Sequence, residues 1–196
     1  MIEYDDNGAT VTGKRVEFAA FPVCVRAHLE HVPSTREIEA VAIELVARAF
    51  QHGDVVRFVR AVCKWGGYAG IAGRVMVRNE PSGLAAAFRR AAADVGVGVD
   101  VAVQSLLDVH SLGVSFGSKH LRFLAPRVCG ILDAKMAKDG FQKSAAGVAR
   151  YSALCCELAR RLERRRVPNP MNRGEGGWYA ADVDMALFAI VQRWAP

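Results

Sequence analysis

The stretch GVSFGSKHLRFLAPRVCGILD, residues 113–133, decides how this chain is read. A glycine-bounded turn precedes Lys119, Pro126 breaks the run, and an apolar segment ends in a lone aspartate, Asp133. The bland reading is two surface charges flanking a core helix. A chemical reading needs the lysine and the aspartate to meet. They are 14 residues apart, which along one continuous helix is about 21 Å. Pro126 removes that obstacle. It disfavours helix at Ala125 and ends the lysine helix early. Residues 127–132 can then return as an extended link, and Asp133 can cap a helix starting at Ala134 with its carboxylate near the lysine.

Just upstream, VDVAVQSLLDV (99–109) has the apolar spacing of an amphipathic helix, with Asp100 as a cap. That helix, the turn SLGVSFGS and the helix opening at Lys119 make a helix–hairpin–helix over about residues 99–138. Such a hairpin aims successive backbone N–H groups at one phosphate. Gly113 and Gly117 supply the permissive dihedrals and the close approach.

The remaining chain reads as helices with short connections. Ser34 with Glu37 fits a capping box, followed by the stripe Ile38, Val41, Ala42, Leu45 and Val46. Gly53 is read as the stop of that helix and Asp54 as the cap of the next. Further helices are expected from Tyr68 to Val77, from Pro81 through Ala93, from about Lys143 to Arg166, and from about Ala181 to Trp194. Residues 1–34 read as irregular, with Pro22 and Pro33 as breaks, and no strand of alternating pattern stands out. The expected fold is all-α, with residues 35–196 forming a single domain.

Composition narrows the class. The 196 residues are 52% hydrophobic and carry a net charge of +6, which suits a folded domain with a polyanionic partner. No apolar run is long enough to span a membrane and the N-terminus lacks a signal-peptide core, so a cytoplasmic location is expected. The cysteines lack CxxC spacing, which argues against zinc and iron–sulfur sites.

The hairpin, Lys119 and Asp133 resemble the helix–hairpin–helix DNA glycosylases, and within them the short bacterial branch similar to 8-oxoguanine DNA glycosylases. VCKWGGYAGIAGRVMVRN (62–79) and ADVDMALFAIVQ (181–192) are similar to the same proteins. In that superfamily a lysine after the hairpin is the nucleophile and a downstream aspartate is the essential carboxylate. The family hairpin is a compact GVG-x-K; GVSFGSK is two residues longer, and the lysine–aspartate spacing is shorter than usual. The resemblance implies an all-α fold with a cleft between helical lobes. It also implies a monomer that binds duplex DNA carrying a modified base and needs neither metal nor organic cofactor. The substrate it implies is 8-oxoguanine in repair, or a bulky modified base of phage DNA, such as glucosylated hydroxymethylcytosine, in defence.

The chemistry fits those residue types. Breaking an N-glycosidic bond builds positive charge on the sugar, which a carboxylate stabilises. A neutral lysine amine attacks C1′ and forms a Schiff base, which permits strand cleavage by β-elimination. The site must lower the lysine's pKa by burial or by neighbouring cations such as His120 and Arg122. Gly113, Val114, Ser115, Gly117, Ser118, His120 and Arg122 are the expected DNA contacts. Trp65, Tyr68 and Phe116 are candidates for stacking on an extruded base or wedging into the duplex, with ordinary core packing as the commoner role. Arg160, Arg161 and Arg164–Arg166 form a basic run that serves either as a solvated helix face or as a DNA-backbone contact. Asp182 and Asp184 flank the start of the last helix; capping explains at least one of them, and neither is read as catalytic. Two rivals stay open: a non-catalytic helix–hairpin–helix DNA-binding protein, and an all-α interaction protein in which the motif is coincidental.

Overall fold

A computed structural model describes residues 2–173 and 177–195. The protein is predominantly helical. Its helices are α1 (Phe21–His31), α2 (Thr35–Ala47), α3 (His52–Trp65), α4 (Gly70–Arg78), α5 (Pro81–Asp94), α6 (Val99–Leu107), α7 (Val114–Leu124), α8 (Ala145–Arg164) and α9 (Ala180–Gln192). No described helix is long and apolar enough to cross a membrane.

The first 34 residues are not irregular. Strands β1 (Glu3–Tyr4), β2 (Gly8–Val11) and β3 (Lys14–Glu17) form an antiparallel sheet in that order. Thr12 and Gly13, with φ of 51° and 78°, make the two-residue turn that suits a twisted hairpin. The Asp5 carboxylate accepts from the amides of Asn7 and Gly8 and shapes the other turn. Ile2, Ala9, Val11 and Val16 are buried, so this small sheet joins the common core. Pro22 falls in the first turn of α1, where a missing N–H costs nothing; it starts a helix instead of breaking one.

Some helix ends also differ from the sequence reading. Ser34 makes no side-chain cap, and Thr35 Oγ1 instead donates to the Val32 carbonyl. The break after α2 falls at Ala49 and Phe50, both at positive φ, while Gly53 lies inside the first turn of α3. Asp54 pairs with Arg48 at 3.0 Å. Pro81 opens α5 as expected.

Helix α7 decides the architecture. It packs against α2, α3, α5, α6 and α8, and every residue from Phe116 to Phe123 is buried. A helix buried on all sides must give each of its polar side chains a partner. Ser118 Oγ donates to the Ser115 carbonyl. The His120 Nδ1 atom lies 2.6 Å from the Phe116 carbonyl. Arg122 pairs with Glu39 at 2.9 Å. Lys119 finds Ser115 and Asp133.

Candidate active site

Lys119 and Asp133 meet. The lysine Nζ lies 3.9 Å from Asp133 Oδ2 and donates to Ser115 Oγ at 2.9 Å. The chain between them folds back as Pro126 requires. Helix α7 stops at Leu124, and Ala125 leaves the helical region at φ −133°, ψ 60°. Residues 126–128 form a turn whose carbonyls, from Pro126 and Arg127, receive the amides of Ala181 and Ala180 at the start of α9. Residues 129–133 then return beside α7. Ser118 Oγ accepts from the Leu132 amide at 3.2 Å, and Ser152 Oγ accepts from the Gly130 amide at 3.1 Å. A Cβ on Gly130 would stand 2.9 Å from the Tyr151 ring, so glycine allows the return segment to lie on α8.

The two oxygens of Asp133 divide their work. Oδ1 accepts from the amides of Lys135 and Met136 at 2.9 and 3.1 Å and caps the next turn of chain. Oδ2 faces the lysine. The cap fixes the carboxylate's direction. The capped element is a short 3-10 turn, Met136–Asp139, where the sequence suggests a longer helix.

Burial holds the Lys119 amine below its ordinary pKa. Asp133 and Asp184 oppose that shift, and Lys143 adds to it. The neutral amine, the nucleophilic form, is thus more accessible than in water.

Lys119 opens onto a cavity of about 340 Å³. Trp65 forms a fixed wall: its Nε1 donates to Thr35 Oγ1 at 3.0 Å and its ring stands edge-on to Phe123. Phe116 lies beneath the lysine, with Nζ 5.2 Å from the ring centroid. Tyr68 is 68% exposed at the rim, edge-on to Phe116. Gly66 completes this wall, because a Cβ there would approach the Phe116 ring to 2.9 Å and the Lys119 side chain to 3.1 Å. His28 of α1 and Asp184 and Phe188 of α9 also line the cavity.

The expected DNA contacts separate into two groups. Gly113, Val114 and Ser115 form the solvent-facing N-terminus of α7 and, with Lys143, line a shallow concavity. Gly117, Ser118, His120 and Arg122, also expected at the DNA, are instead buried in the interior. Gly117 sits against Leu107, and His120 is ringed by Phe58 and Phe88. Neither His120 nor Arg122 is among the charges that shift Lys119. The hairpin itself is also displaced: the turn lies at residues 108–113, with Ser111 at φ 76°, so Lys119 sits in the second turn of α7, not at its opening. In the basic run, Arg160, Arg161 and Arg164 lie within 4 Å of Glu157, and Arg161 also reaches Asp6.

Sequence reasoning missed His28 and Asp184. His28 is 3% exposed, neither ring nitrogen has a hydrogen-bond partner among the described residues, and burial lowers its pKa to about 3. Asp184 is buried, accepts from the Tyr151 hydroxyl at 2.8 Å, and has its pKa raised by burial to about 6. His28 lies in the segment read as irregular. Asp184 hides behind a capping role that Asp182 alone fulfils, accepting from the Tyr179 amide. The chain matches no family model, no curated protein and no solved structure.

Proposed function

We propose that this protein is a DNA glycosylase of the helix–hairpin–helix kind. One observation carries the reading: a buried lysine and a capped aspartate, 14 residues apart in sequence, face each other at 3.9 Å beside a cavity. The α7 N-terminus and Lys143 seat a backbone phosphate, and the cavity receives an extruded base. The neutral Lys119 amine attacks C1′ while the glycosidic electron pair leaves with the base. Asp133 Oδ2 stabilises the positive charge on the sugar and then accepts the proton from the alkylated nitrogen. Ring opening leaves a Schiff base, from which β-elimination gives lyase activity. The substrate is a modified base in duplex DNA, either 8-oxoguanine or a hypermodified phage base. The protein acts as a cytoplasmic monomer and uses no cofactor.

Borohydride trapping tests this. The protein is incubated with duplexes that are unmodified or carry 8-oxoguanine, uracil, hydroxymethylcytosine, glucosylated hydroxymethylcytosine or an abasic site. A covalent adduct that disappears in Lys119→Gln is the expected result. Base release that depends on Asp133 without any adduct keeps the enzyme and reduces Lys119 to a binding role. Salt-sensitive binding with neither adduct nor release replaces the reading with a non-catalytic DNA-binding protein.

A further inference from the structure

The cavity lining carries more polarity than the lysine chemistry needs. His28 is more than nine-tenths buried, yet both its nitrogens lack a partner among the described residues. Phe188 and Trp194 stand beside it, with ring centroids 6.0 Å away in each case. Arg122 and His31 are near enough to add to the lowering of its pKa by burial, but the imidazole's hydrogen bonds are unmet among the described residues. Leaving such a group unsatisfied costs free energy unless a ligand supplies the partner. Asp184 lines the same cavity. A carboxylate has about four acceptor positions. The Tyr151 hydroxyl takes one and the Ile131 amide another.

We propose that His28 and Asp184 select the base, and that they select one bearing an exocyclic amine. The argument is a count of donors and acceptors. A neutral imidazole offers one donor and one acceptor, and the carboxylate offers only acceptors. Between His28 and Asp184, acceptors therefore outnumber donors; the Arg122 guanidinium, which acts on both, does not line the cavity. An amino-bearing base answers with two N–H groups and an adjacent acceptor, as adenine and cytosine do. Uracil and thymine present one N–H between two carbonyls, and those carbonyls would face acceptors. The inference rests on the base entering this cavity, as the proposed glycosylase reading requires, but it concerns side chains other than Lys119 and Asp133, of which Asp184 also acts on the Lys119 charge.

The test uses free adenine, cytosine, uracil and thymine titrated into protein with ¹⁵N-labelled histidine rings. The signal assigned to His28 is the one absent in His28→Phe, a variant that keeps an aromatic ring against Phe188 and Trp194. The expected result is that adenine and cytosine move this signal and bind about tenfold or more tighter than uracil and thymine, the worth of one well-made hydrogen bond. Asp184→Asn, which replaces acceptor positions with donors, should bring the two classes within about twofold. Equal binding of both classes, no base moving the signal, or unchanged discrimination in Asp184→Asn overturns the proposal. Lys119→Gln separates the two readings. It should still discriminate bases while losing the trapped adduct on an abasic duplex, where no base is present. Absence of that adduct in the native protein counts against the lysine chemistry alone.

Discussion

At the scale of single residues, the decisive quantity is the charge on Lys119. Burial lowers its pKa, two carboxylates raise it, and Lys143 lowers it further. Activity should therefore rise with pH as the amine loses its proton, with the limb below the ordinary lysine range. Removing Lys143 takes away one lowering influence, so Lys143→Gln should move the limb to higher pH, read from the pH profile of adduct formation. Gly66 is the other exposed dependence. Gly66→Ala forces a methyl against Phe116 and the lysine stem, so adduct formation should fall at least about tenfold while the melting temperature drops by only a few degrees, as for a modest overpacking. The pair itself is legible in the sequence, because Pro126 forces the chain back and Asp133 is a natural cap. The partners that complete the cavity are not. A histidine in an unassigned segment and an aspartate three residues after a run of alanines carry no pattern that distinguishes them from ordinary positions.

At the scale of elements, α7 shows where periodicity misleads. The glycines at 113 and 117 suggest a turn across both, but only Gly113 caps the helix. Gly117 lies inside it, where the missing side chain lets α7 approach α6. Arg122 has the sequence surroundings of a solvated cation, yet it is fully buried. Glu39 pairs with both Arg122 and Arg173, and Arg173 reaches Asp182 at 2.6 Å. This network ties α2, α7 and α9 to the loop before α9. Glu39→Gln leaves a buried guanidinium uncompensated and should cost about 3–5 kcal/mol, measured by urea unfolding. The long amphipathic helices are readable from their apolar stripes. Strands of two to four residues are not, since so short a segment cannot display an alternation.

At the scale of the whole molecule, stability depends on buried groups that resist ionisation. His120 is held neutral, with its pKa lowered to about 4, and His28 to about 3. A histidine depressed in the folded state binds its proton more readily when unfolded. The stability it allows is present above about pH 6.5 and is lost as the pH falls through that window. Asp184 acts in the opposite sense: raised to about 6, it is a burden at neutral pH that is relieved as the pH falls from there toward its unfolded value. Two histidines outweigh one aspartate, so the native protein should unfold more easily at about pH 4.5 than at about pH 7. His120→Leu should remove up to roughly 3 kcal/mol of that difference, as seen in denaturant midpoints at the two pH values.

The burial of α7 also has a directional consequence. Its flanks from Phe116 to Phe123 belong to the interior, and its N-terminal end at Gly113 to Ser115 meets solvent. The helix is a peg seen end-on, and the lysine is one turn down its shaft. Substitutions on the flanks are felt as changes in packing, and under the proposed reading substitutions at the tip are felt by the DNA backbone. Ser115 belongs to both, because its hydroxyl holds the Lys119 amine; Gly113 and Val114 are the tip positions that can be altered without touching the framework that aims it.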